Sequence, residues 1–231
     1  MSFVIFIAPS KTFSQTTKRG KSLPLFEDKT KELLTRLKSF DSSMISSTMK
    51  VSSKIANEVY CYYQSPSGGD AMSLFSGVSY KAMNANNLEV ENNKLYILDA
   101  LYGLIRPHDD VQRYRLDFTI NICGNLYDYW KDAITIYLQK RHKHDVLIDL
   151  SSKEFSPLMS NCRNVYRIDF TLSSKRISNV LLKQMRGKMT RYLIEKNINS
   201  LDDLKKLKIE GFEYNPQLSS STNFIFTRLD S

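Results

Sequence analysis

The chain has 231 residues, 42% of them hydrophobic and 11% aromatic, and carries a formal net charge of +9. That length can bury about 70–75% of its unfolded surface in one domain, and the composition excludes a disordered chain. Cys61, Cys123 and Cys162 are too few and too scattered for a disulfide framework, and no stretch approaches the roughly 20 apolar residues of a membrane-spanning helix.

In chain order, Phe3-Val4-Ile5-Phe6-Ile7-Ala8 is a continuous apolar run, expected as a central strand covered on both faces and ended by Pro9. It lacks the charged start and the length of a signal peptide, so a cytoplasmic protein is expected. Leu25 to Phe40 reads as a helix with Leu33, Leu34 and Leu37 on one face. Asp41 is a plausible N-cap for a helical segment through residues 42–63, where Met44, Ile45, Met49, Ile55, Val59 and Tyr63 recur at helical spacing. Ser65 to Asp70 is a loop, too short for a domain linker. Lys94 to Ile105 fits strand or helix. Leu126 to Gln139 reads as a helix, Val146 to Leu150 as a buried strand and Asn164 to Leu172 as another.

Residues 175–197 form the clearest amphipathic helix, with Leu182, Met185, Met189 and Leu193 on one stripe and Arg176, Lys183, Gly187 and Arg191 roughly opposite. Leu201 to Leu207 is a short helix. Gly211 to Thr227 reads as two strands joined by Asn215-Pro216 and a Ser-rich turn. Without a linker, a repeat or a regular βαβ rhythm, residues 1–231 are expected to form a single α+β domain, an irregular mixed sheet flanked by helices.

Several groups could carry chemistry. Leu101-Tyr102-Gly103-Leu104-Ile105-Arg106-Pro107 and Tyr114-Arg115-Leu116-Asp117 set two arginines among apolar residues. Guanidinium groups are costly there unless they pair or bind an anion, so the cluster is an ion-pair hub or a ligand site. Arg106 and Arg115 could grip phosphate bidentately, and Asp117 could orient Arg115 or act as a general base. Pro9-Ser10-Lys11-Thr12 follows the first strand, where loops in α/β folds commonly hold ligands; Lys11 could engage phosphate and Thr12 donate a hydroxyl. Ser151-Ser152-Lys153-Glu154 follows a later strand and offers a second carboxylate. Between Lys175 and Lys196 seven basic residues face Glu195 alone, and Arg186, Lys188 and Arg191 could contact phosphate or form a solvated helix face. Gly187 costs about 1 kcal/mol against alanine in a helix, which close approach of a ligand or a second helix would explain.

Gly20-Lys21-Ser22 mimics the end of a phosphate-binding loop, but Gln15 stands where its first glycine belongs. His142 and His144 sit among cations without a ligand set, so no metal is expected, and no cofactor fingerprint is present.

These motifs, taken in order, carry a resemblance. Pro9–Thr12, the Leu-Tyr-Gly-x-x-Arg-Pro run, Tyr114–Asp117, Leu126-Tyr127-Asp128-Tyr129-Trp130, Asp149–Glu154, Arg186-Gly187-Lys188-Met189-Thr190-Arg191 and Glu210-Gly211-Phe212 resemble the YaaA family, bacterial proteins associated with peroxide stress. The resemblance implies a mixed fold with a positively charged cleft, a helix-hairpin-helix-like element and double-stranded DNA binding, and no settled catalytic activity. Leu101–Leu104 would be the hairpin, or else a tight turn between packed elements. Where the family typically has an acidic residue and a second glycine after Phe-x-Gly, this chain has Val78 and Ala82.

The expectation is therefore a DNA-binding protein of the peroxide response. Lys11, Thr12, Arg106, Arg115, Lys153, Arg186, Lys188 and Arg191 would contact phosphate, with Tyr102 and Tyr114 as ring walls and little sequence preference. Lys11, Arg106, Arg115, Arg186 and Arg191 would line one cleft. The competing expectation is an enzyme on a nucleotide or nucleic-acid substrate, with Asp117 or Glu154 as base. An iron-handling role finds no ligand set among the three histidines and three cysteines.

Overall fold

The N-terminal apolar run forms the middle of the sheet: β1 (Phe3–Ile7) is buried at every position, as a strand covered on both faces must be. The computed structural model describes residues 2–229. Three helices follow β1: α1 (Glu27–Lys38), α2 (Ser42–Met49) and α3 (Ser53–Gln64). Asp41 caps α2 by accepting from the Met44 N–H. The expected single segment over 42–63 is broken, because Lys50 takes a left-handed conformation and Ser52 starts a new helix by capping the Ile55 N–H. Then come β2 (Gly68–Asp70), α4 (Ala71–Leu74) and α5 (Val78–Met83).

Lys94 to Ile105 resolves into two antiparallel strands, β3 (Leu95–Asp99) and β4 (Gly103–Ile105), with Asp99 opposite Gly103. The helix-hairpin-helix expected at Leu101–Leu104 is not formed there: the segment is a tight turn between strands. Asp99 closes it by accepting from the Leu101 and Tyr102 N–H groups at 2.8 and 2.9 Å. Gly103 has φ +72°, and a Cβ on it would lie 2.5 Å from Trp130, so the glycine answers a turn and a packed indole.

The chain continues through β5 (Asp110–Gln112), α6 (Leu126–Arg141), β6 (Val146–Asp149), β7 (Val165–Leu172), α7 (Asn179–Glu195), α8 (Leu201–Lys205), β8 (Lys208–Ile209), β9 (Phe212–Tyr214) and β10 (Asn223–Arg228). The eight-stranded sheet has the order β4-β3-β1-β6-β7-β10-β9-β8. Its five central strands, β3 to β10 in that order, run parallel, and the edges turn antiparallel. β2 and β5 make a separate antiparallel pair. This is the expected α+β architecture with a mixed sheet. Among the described residues no helix is long and apolar enough to cross a membrane.

Helix α7 begins at Asn179 because Ser178 caps it, and it buries Met185, Met189 and Leu193 as its periodicity predicts. Gly187 is also buried: a Cβ there would lie 2.1 Å from the Ser79 carbonyl oxygen of α5. The close helix approach inferred from a mid-helix glycine is present, between α7 and α5.

Candidate functional site

The parallel strands β1 and β6 end side by side, and the chain segments leaving them open a cleft of about 430 Å³. Its floor is Ile7, Ala8 and Leu150 from the strand ends; Pro9–Thr12, Gly77–Tyr80, Tyr114–Asp117, Ser152, Glu154 and the inner face of α7 make the walls. Local chemistry sets each wall. Ser10 accepts from the Thr12 N–H at 3.1 Å, which turns the loop tightly, and Gly77 leaves room for the Ser10 hydroxyl, which a Cβ would meet at 2.4 Å. Ser79 donates to the Lys183 carbonyl at 2.9 Å and Tyr80 to the Ala8 carbonyl at 3.0 Å, tying α5 to both α7 and β1.

Four cations and two carboxylates line this space: Lys11, Arg115, Lys183 and Arg186 against Asp117 and Glu154. Lys11 Nζ sits 2.6 Å from Asp117, so Lys11 rather than Arg115 is the partner of that carboxylate. Arg186 is buried and makes one long contact, Nη2 to Asp169 at 3.3 Å. Burial lowers its pKa, with Asp169 pulling the other way. The Nε–H groups of Arg186 and Arg115 are buried and take no partner among the described residues. Arg115 and Lys183 form no ion pair among the described residues, while the Arg115 carbonyl accepts from Tyr63. Burial pushes the Glu154 carboxyl above the usual range, Lys11 pulls it back, and Asp117 adds to the rise. Beneath the cleft, Tyr114 donates to the fully buried Asp99, whose pKa burial pushes up to about 6 against that bond and the two backbone N–H groups.

Of the residues expected at the site, Lys11, Thr12, Tyr114, Arg115, Asp117, Glu154 and Arg186 meet in this cleft. The others do not line it. Arg106 is the ion-pair alternative realised: its Nε lies 2.9 Å from the fully buried Asp109, and its Nη2 donates to the Leu23 carbonyl. Tyr102 is buried and accepts from the Gln112 N–H at 3.0 Å, so it offers no free ring face to a ligand. Lys153 points outward as an exposed residue. Lys188 pairs with Glu210 at 2.6 Å, and Arg191 holds the Met83 carbonyl at 2.9 Å and pairs with Glu195.

Lys183 lies in the cleft although only its helix stripe, not its role, was read from the sequence. Its position four residues before Gly187 was the available signal, since both face α5. Val78, where the family pattern carries an acid, also lines the cleft. Among the described residues no group of three or more His, Cys, Asp or Glu could hold a metal ion.

A mixed parallel-centred sheet with a charged cleft outside its strand ends defines the α+β architecture of this protein. The chain belongs to the YaaA family: the family model described as peroxide stress protein YaaA matches residues 3–218. It is similar to a protein called UPF0246 protein from Francisella philomiragia, 33% identical over 97% of this chain and 100% of the relative. A UPF0246 protein of Francisella tularensis subsp. novicida is 34% identical, over 95% of this chain and 94% of the relative.

Proposed function

We propose that this protein binds DNA through its phosphates, using the cleft, as part of a cytoplasmic response to peroxide stress. The single observation behind this reading is that two cations without an ion-pair partner among the described residues, Arg115 and Lys183, share one cleft with Lys11 and Arg186. Cations left unpaired beside a concave surface favour an anionic partner, and arginine suits phosphate best. Phosphate contacts carry no sequence information, so the binding has little sequence preference. Val78 supports the reading, since an acidic residue there would oppose an anion.

Arg106 and Arg191 drop out of the expected contact set, and Lys183 enters it. Two phosphates neutralised by the unpaired cations Arg115 and Lys183 give a slope of about −1.8 in log K against log salt, from about −0.9 each. The test is fluorescence anisotropy of labelled duplex over a salt series, with wild type, Arg115→Ala and Lys183→Ala. Each variant is expected to bind at least tenfold more weakly at moderate salt. Binding that ignores both substitutions, or a slope shallower than about −0.9, removes DNA from the cleft.

A second reading, an enzyme on a nucleotide substrate, is favoured by Glu154, a half-buried carboxyl with a raised pKa beside Lys11 and Asp117. It predicts turnover that Glu154→Gln abolishes while DNA binding persists.

A further inference from the structure

The interior of the cleft is too small to enclose a duplex, whose phosphates reach only the cations at its rim. At about 430 Å³ it falls within the roughly 300–1,000 Å³ of pockets that enclose a small molecule or cofactor. A base-paired helix could touch its rim but could not enter. Something smaller must explain why buried guanidinium groups face the interior.

The cavity lining combines cations, carboxylates and apolar side chains. Arg186 and Arg115, both lining the cavity, each keep a buried Nε–H without a partner among the described residues, and Lys183, an exposed lysine whose charge also acts on Glu154, adds a cation. A buried donor left unpaired is costly unless a ligand meets it, and two guanidiniums with an ammonium suit a compact dianion. Ile7, Tyr80, Met83, Leu116 and Phe155 give the cavity an apolar wall suited to a flat ring. Asp117 and Glu154 add acceptors, which match sugar hydroxyls or ring amino groups.

Resting on the DNA-binding reading and deepening it, we infer that the cleft encloses one unstacked nucleotide carrying a phosphate monoester, its phosphate between Arg115, Lys183 and Arg186 and its base against the apolar wall. A free nucleoside monophosphate and the 5′-phosphorylated end of a DNA strand share this chemistry. A terminal monoester carries a charge nearer two than the single charge of an internal diester, and only an end can be enclosed without bending the chain back out.

The experiment measures binding of dAMP, deoxyadenosine, and an eight-residue deoxyoligonucleotide with either a 5′-phosphate or a 5′-hydroxyl, by calorimetry on the full chain. Wild type is compared with Arg115→Gln and Lys183→Gln, with thermal melting as a check that both fold. dAMP should bind at least tenfold more tightly than deoxyadenosine, and either substitution should erase most of that preference. If the 5′-phosphate also strengthens oligonucleotide binding about tenfold, the ligand is a chain end; if dAMP alone shows the preference, it is a free nucleotide. Both results support the site. Equal binding of dAMP and deoxyadenosine, or a preference that survives both substitutions, overturns it. The two proposals fail separately: duplex binding sensitive to Arg115 without a phosphate-monoester preference leaves DNA binding standing, and dAMP binding without duplex binding leaves the nucleotide site alone.

Discussion

Arg106 and Arg186 are both arginines set among apolar neighbours, and their surroundings treat them in opposite ways. Asp109, wholly buried, meets the Arg106 Nε at 2.9 Å and its backbone N–H at 2.8 Å, and also accepts from Ser22 at 2.7 Å. The Leu23 carbonyl takes a further Arg106 donor. This network staples the 20–24 loop onto the turn before β5, where Lys21 and Ser22 donate to the His108 carbonyl. Arg186 has one long contact to Asp169 and an orphaned Nε–H. A guanidinium with its donors satisfied holds structure together; one with a donor left over beside a cavity is available to a ligand.

The largest expected effect breaks the closed network. Arg106→Ala would strand the Asp109 carboxylate without its charge partner in the interior, a loss of about 3–5 kcal/mol. Arg115→Ala, in the open set, should cost about 1 kcal/mol or less in stability while weakening DNA binding. Urea unfolding of the two variants measures this contrast. An Arg106→Ala protein as stable as wild type would falsify the assignment of Arg106 to structure.

Much of the frame was legible because burial writes itself into hydrophobic pattern. Phe3–Ala8 and Val146–Leu150 read as buried strands, which the structure forms over Phe3–Ile7 and Val146–Asp149; Asp41 and the start of its helix were readable from capping chemistry, and Gly187 marked a close helix contact. At Tyr102-Gly103 a hairpin between helices and a tight turn stayed equally open, because a glycine signals a special backbone position without saying which elements it joins; the structure has the turn. Arg106 misled for a related reason: arginine among hydrophobic residues signals a partner, and only the fold shows that Asp109, three residues on, already supplies one. The cleft residues come from five segments spread between Ile7 and Thr190, so their meeting could not be deduced from spacing. Lys11, Arg115, Glu154 and Arg186 were legible as candidates, whereas the pairing of Lys11 with Asp117 was not.

Buried carboxylates repeat the contrast at intermediate size. Burial pushes Asp109 up, but Arg106 and Ser22 pull it back. Asp99 has only a hydroxyl and backbone N–H groups, and its pKa rises from 3.8 to about 6. A carboxyl with a raised folded-state pKa stabilises the fold fully below its unfolded value, and that contribution is lost as the pH rises through about 6. The amount is on the order of 3 kcal/mol. Asp145, whose pKa is lowered by its bonds to His142 and Ser2, acts in the opposite sense and loses stability on acidification, so wild type alone does not isolate Asp99. The difference between Asp99→Asn and wild type does. From about pH 4 to about pH 8 the variant should gain on wild type by a few kcal/mol in chemical denaturation. An offset independent of pH would show that Asp99 keeps the same charge in both states.

The smallest effect separates two lysines of one helix. Lys183 and Lys188 are five positions apart on α7, and the turn of the helix sends them to different places. Lys183 lines the cleft without an ion pair among the described residues; Lys188 lies 2.6 Å from Glu210, both side chains substantially exposed. An exposed pair of this kind contributes about 1 kcal/mol or less, so Lys188→Ala should barely move the unfolding midpoint. Net charge falls by one in either variant, so a purely diffuse attraction between a +9 protein and DNA would weaken equally in both. A cleft contact would not. Lys183→Ala should flatten the salt slope by about 0.9, and Lys188→Ala should leave it unchanged. Equal slopes for the two variants would mean that the charge of the whole surface, and not the cleft, attracts the nucleic acid.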